Sequence, residues 1–151
     1  LEGIPLDDLK VVQLPLSIYD QRLLRNGTID YLISKGISIH IRSIFLQGLI
    51  LTPSFKWPPF ISSEFINHHK KLELETRKVN SSLLDLALGF AHSCKDIEAI
   101  VFGVTSMEEM NQIYKSWRKL THNETLVNNI ISDKWQWKDS KELDPRKWPN
   151  S

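Results

Sequence analysis

The sequence predicts an α/β fold built on a parallel sheet, and two observations carry that expectation. β-rich runs and stretches of helical period alternate in the order strand, helix, strand, helices, strand, helix. The run "IEAIVFG" is apolar almost throughout, the pattern of a parallel strand covered on both faces. With 151 residues, 41% of them hydrophobic and 25% charged, the chain is long enough to build one core.

The first strand is "KVVQLPL", Lys10 to Leu16, which follows the turn-like "IPLDD". In "IDYLISKG", Ile29, Leu32 and Ile33 recur at helical spacing, and Gly36 stands where a left-handed residue ends a helix. "ISIHIRS", Ile37 to Ser43, alternates strictly, with Ile37, Ile39 and Ile41 on one face and Ser38, His40 and Arg42 on the other. Pro53, Pro58 and Pro59 make "TPSFKWPPF" a loop. A helix runs from about Ser62 through Val79, and a second starts near Asn80 or Ser81. The second helix carries an apolar stripe from Leu83 to Ala91 that suits the face of a sheet. The third strand, Ile97 to Gly103, turns through "VTS" into "MEEMNQIYKSWRKL", where Ser106 and Glu109 match a capping box. "NETLVNNIISDK" reads as a short helix, and "WQWKDSKELDPRKWPNS" is a tail without a period.

Charge narrows the partners. Lys and Arg number 19 against 18 Asp and Glu, so the chain lacks the broad field of a nucleic-acid or membrane-surface binder, and neither partner is expected. No apolar run is long enough to span a bilayer and no signal-peptide pattern is present, which makes a cytoplasmic location the expectation. Cys94, the single cysteine, cannot form an internal disulfide and reads as a small buried helix residue. His68 and His69 sit side by side on a helix, which points their rings apart and argues against a shared metal. The opening Leu-Glu-Gly-Ile-Pro, without a methionine, reads as a processed product or an excised piece.

Three strands are few. A closed β/α barrel needs eight strands and about 250 residues, while an open three-stranded sheet leaves two unprotected edges. The chain is therefore either part of something larger or holds more strands than the pattern reveals.

The motifs "VVQLPLSIYDQRLL", "KGISIHIRSIFLQGLIL", "SLLDLALGFAHSCKDIEAIVFGVTSMEEM" and the closing "DPRKW", in that order, resemble the second half of an aldo/keto reductase, from barrel strand six to the end. The resemblance implies a partial (β/α)8 TIM barrel, its C-terminal half, with parallel strands and flanking helices. Residues 1–134 would form the half barrel and residues 135–151 a C-terminal tail. Ser38 and His40 would then face the barrel interior, with Arg42 and Ser43 at its mouth, where such barrels collect ligands.

The same resemblance implies a nicotinamide cofactor, NADP or NAD, and a small carbonyl substrate. Gln13 matches the glutamine that bonds the nicotinamide carboxamide. Ser43 matches a serine at the cofactor phosphates, and Phe45, Gln47 and Gly48 belong to the same turn. Arg42 stands where the family usually has an aromatic that stacks on the nicotinamide, and its planar guanidinium can also stack on a ring. Gly103, Val104, Thr105 and Ser106 would meet the adenosine 2′-phosphate and the adenine at a helix N-terminus. Glu109 replaces a frequent Arg or Gln there and Ile113 a frequent Asn, and an acidic group near a 2′-phosphate disfavours NADPH.

Structural roles compete with several of these assignments. Arg42 could pair with a rim carboxylate, Gln13 and His40 could be satisfied interior groups, and Ser106 with Glu109 could simply cap a helix. The family's catalytic Asp, Tyr, Lys and His come from the first half of the barrel, and none of their motifs occurs here, so no catalytic residue is assigned. Alone, this chain should be inactive and should self-associate or require its other half. The alternative is a noncatalytic, degenerate barrel module that binds a protein partner or a nucleotide.

Overall fold

The computed structural model describes residues 8–122 and 133–149, without the side chains of residues 121 and 122. Three parallel strands, β1 (Val11–Pro15), β2 (Ser38–Arg42) and β3 (Ala99–Val101), form one sheet in the order β1-β2-β3. The helices are α1 (Arg22–Arg25), α2 (Thr28–Ser34), α3 (Ser63–Lys78), α4 (Leu83–Ser93) and α5 (Met107–His122). Each strand is shorter than its β-rich run, and the "NETLVNNIISDK" helix falls largely outside the described residues.

Local chemistry sets the boundaries. Gly36 is left-handed, with φ 71°, directly after α2, a conformation that glycine adopts without cost. Ser62 caps α3 by accepting from the N–H of Phe65. α4 is capped by Ser82, a residue or two beyond the expected start, because Asp85 three residues later completes a capping box with it. Asp85 also accepts from Ser116 Oγ at 2.6 Å and Lys119 Nζ at 2.9 Å, so one buried carboxylate both starts α4 and ties it to α5. Burial alone would raise its pKa, but the hydrogen bonds from Ser116, Lys119 and Ser82 outweigh that and hold it below the usual carboxylate range.

The register places Gln13 beside His40 and His40 beside Ala99, so Val11, Gln13, Pro15, Ser38, His40, Arg42, Ala99 and Val101 share one face. Ile39, Ile41 and Ile100 share the other, and both Ile39 and Ile41 are buried in the helix-covered core with Leu86, Leu88 and Phe90 of α4. The alternation read in "ISIHIRS" is thus the real division between core and open face. β3 departs from expectation. It lies at a sheet edge, and Val101 is 39% exposed, so this strand is not covered on both faces among the described residues.

A second part of the core joins the loop, α3 and the tail. His69 is fully buried; its Nε2 lies 3.1 Å from the Thr52 carbonyl and its Nδ1 2.5 Å from Tyr19 Oη. A carbonyl can only accept, so Nε2 carries the proton and Nδ1 accepts from the tyrosine hydroxyl. Trp57 stacks on His69, and Phe65 stacks on Trp137 of the tail with ring centroids 4.5 Å apart. His68 instead contacts the Trp135 carbonyl, so the two neighbouring imidazoles do point to separate partners. Cys94 sits at the C-cap of α4, half-buried, and burial pushes its thiol up to about 11.

Candidate functional site

β2 leaves the sheet through a turn of unusual backbone. Ser43, Leu46 and Gln47 have φ of 63°, 47° and 52°, and Gly48 follows at 84°. Side-chain-bearing residues seldom occupy this region, and where they do the surroundings must hold them. Here Leu46 N–H donates to the Ser43 carbonyl at 2.9 Å, and Ile50 N–H to that of Phe45 at 3.3 Å. Thr52 Oγ1 donates to the Gly48 carbonyl at 3.0 Å, and the Trp57 indole to the carbonyls of Leu49 and Thr52. Trp57 is thereby a buried brace for the turn. The N–H groups of Ile44, Phe45, Gln47 and Gly48 have no hydrogen-bond acceptor among the described residues.

This turn forms one wall of an open groove of about 830 Å³ at the C-terminal ends of β2 and β3. The groove gathers Arg42, Ser43, Phe45, Gln47 and Gly48 from that side, and Gly103, Thr105 and Glu109 from the start of α5. Leu51, Leu84, Phe102 and Ile113 supply apolar lining, and the Phe45 and Phe102 rings lie 5.9 Å apart. Three of the residues singled out in the sequence lie elsewhere. Gln13 is exposed on the open sheet face beside His40, while Val104 and Ser106 flank Thr105 without lining the groove.

The two walls differ in what they offer. Ser106 Oγ accepts from the Glu109 N–H at 3.1 Å, and the Glu109 carboxylate accepts from the Thr105 N–H at 2.7 Å. The expected cap is present, with the Glu109 carboxylate bonded most closely to the N–H of Thr105, one residue before Ser106. Hydrogen bonds from Thr105 keep that carboxyl below its ordinary range, so Glu109 stays charged and occupies a donor that an anion would need. Arg42 donates from Nη1 to Ser43 Oγ at 3.2 Å and has no carboxylate partner among the described residues.

No protein-family model and no curated protein matches the sequence. Solved structures do match. The holo form of aldo-keto reductase AKR11C1 from Bacillus halodurans superposes with a TM-score of 0.56 and 15% identity over 86% of this chain. The apo form of that enzyme gives 0.55 and 16% over 84%. The chain has the fold of part of an aldo-keto reductase barrel. It spans 46% of either structure, about half their length.

The open face of the sheet carries Gln13 and His40, and the Arg42–Gly48 turn lies at the C-terminal end of β2. Gln47 and Gly48 are legible in the sequence as parts of this turn, but nothing in the composition of "FLQG" singles out Leu46 or announces three successive left-handed residues. Trp57 is only 7% exposed and serves the core, whereas Pro58, Pro59 and Phe60 do line a separate groove with Trp148 of the tail and Gln47.

Proposed function

We propose that this chain forms the C-terminal part of an NAD(P)H-dependent aldo-keto reductase, acting on an aldehyde, ketone or sugar-like carbonyl in a cytoplasmic setting. In this reading residues 1–134 make the half barrel and residues 135–151 the tail that closes over its mouth. The observation that carries it is the convergence of Arg42, Ser43, Phe45, Gln47 and Gly48 with Gly103, Thr105 and Glu109 on one groove at the strand ends.

The groove suits a dinucleotide. The unsatisfied N–H groups of the Ile44–Gly48 turn are donors for a phosphate, and Ser43 adds a hydroxyl. Arg42 offers a flat cation on which a ring can stack, and Phe102 and Ile113 suit an adenine. Gln13 reaches the nicotinamide only from the open sheet face, so it would act inside the completed barrel. Glu109 fits a ribose hydroxyl better than a 2′-phosphate, and we assign NADH as the preferred cofactor. When bound, the nicotinamide supplies the hydride; this chain positions it, and the proton donor belongs to strands outside this sequence.

Quenching of tryptophan fluorescence by NADH tests the reading in the full-length protein. Saturable quenching that weakens about tenfold in Gly48→Ala supports it. Absence of any response overturns it.

A noncatalytic nucleotide-binding module is the second reading, and the Glu109 to Thr105 bond favours it by occupying one donor of the adenosine side. It predicts NADH binding without turnover of any carbonyl.

A further inference from the structure

Beside the groove lies a second cleft of about 360 Å³, bounded by the exit of β1, the exit of β2 and the tail. It shares Arg42, Ser43 and Gln47 with the groove, so the two are continuous. Four cationic side chains line it, Arg22, Arg42, Arg146 and Lys147, against two carboxylates, Asp20 and Asp144. Both carboxylates are already taken. Arg22 grips Asp20 through two nitrogens at 2.7 and 2.8 Å, and Arg146 grips Asp144 in the same way at 2.8 and 2.9 Å. Among the described residues the Arg42 side chain reaches only the Ser43 hydroxyl, and Lys147 Nζ stands 3.9 Å from Asp144, beyond hydrogen-bond distance. The cleft therefore presents two cations in excess of its acids.

We propose that this cleft is an anion subsite that takes a phosphate or carboxylate group of the carbonyl substrate, held by Arg42 from the end of β2 and Lys147 from the tail. The identity of the molecule as a substrate rests on the dinucleotide reading of the neighbouring groove; the anion site itself does not. Arg22 and Arg146 act indirectly, by neutralising Asp20 and Asp144 so that the field of the cleft stays positive. The tail then has a role beyond covering the barrel mouth, because it brings half of the excess charge.

Calorimetric titration of the full-length protein with inorganic phosphate and, separately, with acetate tests this, each with and without saturating NADH. Saturable binding of at least one anion that persists with NADH present is expected, and the stronger of the two names the substrate group. Lys147→Gln should weaken it about threefold to fivefold, the scale of one exposed charge pair. Asp144→Asn should strengthen it by a similar factor, since asparagine still accepts the Arg146 N–H that caps the tail turn. A residue of purely structural importance would not produce that gain. No saturable binding, indifference to both substitutions, or complete displacement by NADH overturns the proposal. If NADH itself fails to bind while phosphate still responds to Lys147→Gln, the anion site stands and the dinucleotide reading falls.

Discussion

The Glu109 carboxylate accepts a 2.7 Å hydrogen bond from the Thr105 N–H and thereby places a negative charge on the groove wall where the helix dipole alone would favour an anion. Glu109→Gln keeps an acceptor for Thr105 and removes the charge. The ratio of NADPH to NADH affinity should rise about fivefold, the effect of one unit charge near 4 Å in water. Competitive binding of the two cofactors measures it, and an unchanged ratio would place the 2′ position away from Glu109.

His69 makes the stability pH-dependent. Burial lowers its pKa to about 4 from 6.5, against smaller opposing effects of Glu73 and the Thr52 carbonyl, so the folded protein keeps the ring neutral. Between those values the unfolded chain takes up a proton that the folded one refuses. This contribution is therefore whole above pH 6.5 and lost progressively as pH falls towards 4, amounting to about 2 kcal/mol by pH 5. Urea unfolding at pH 7 and pH 5 should show that difference, and His69→Gln should show much less.

Asp85 should be among the most costly polar side chains to remove. Its oxygens accept from the Ser82 N–H and from Ser81, Ser116 and Lys119, joining the start of α4 to α5. Asp85→Ala should cost about 2–3 kcal/mol, a lost cap plus stranded donors, and Ser116→Ala about 1 kcal/mol. Guanidinium unfolding gives both numbers.

Two glycines with equally free surroundings should respond differently. A Cβ on either Gly48 or Gly103 would meet nothing within 4 Å, but Gly48 alone has a positive φ, 84°. Gly48→Ala should lower stability by about 1 kcal/mol through backbone strain, while Gly103→Ala should be neutral or slightly stabilising. Thermal unfolding of the pair isolates the backbone term.

Much of the fold is legible in the sequence where a local pattern has a local cause. The Ile37, Ile39, Ile41 alternation marks the buried face of β2, Gly36 marks the end of α2, and Ser62 marks the start of α3. The shortfall of strands correctly signals part of a barrel, a shape matched by the solved structures. What the sequence hides depends on residues far apart. The Tyr19 to His69 hydrogen bond spans 50 positions, and the bracing of the Ser43–Gly48 turn by Trp57 requires the loop to fold back. The second cleft joins Arg42 to Lys147, a meeting that no spacing rule anticipates. Among the candidate site residues next to a strand end or helix start, all but Val104 and Ser106 converge, while Gln13 lies on the sheet face because its strand carries it there.

In the proposed function, the turn after β2 and the start of α5 would hold the two ends of one dinucleotide. Amide chemical-shift mapping of the full-length protein titrated with NADH tests it most directly. Saturable shifts are expected at the unsatisfied amides of Ile44, Phe45, Gln47 and Gly48, together with Gly103 and Thr105. Shifts confined to other surfaces, or none at saturating NADH, would contradict it.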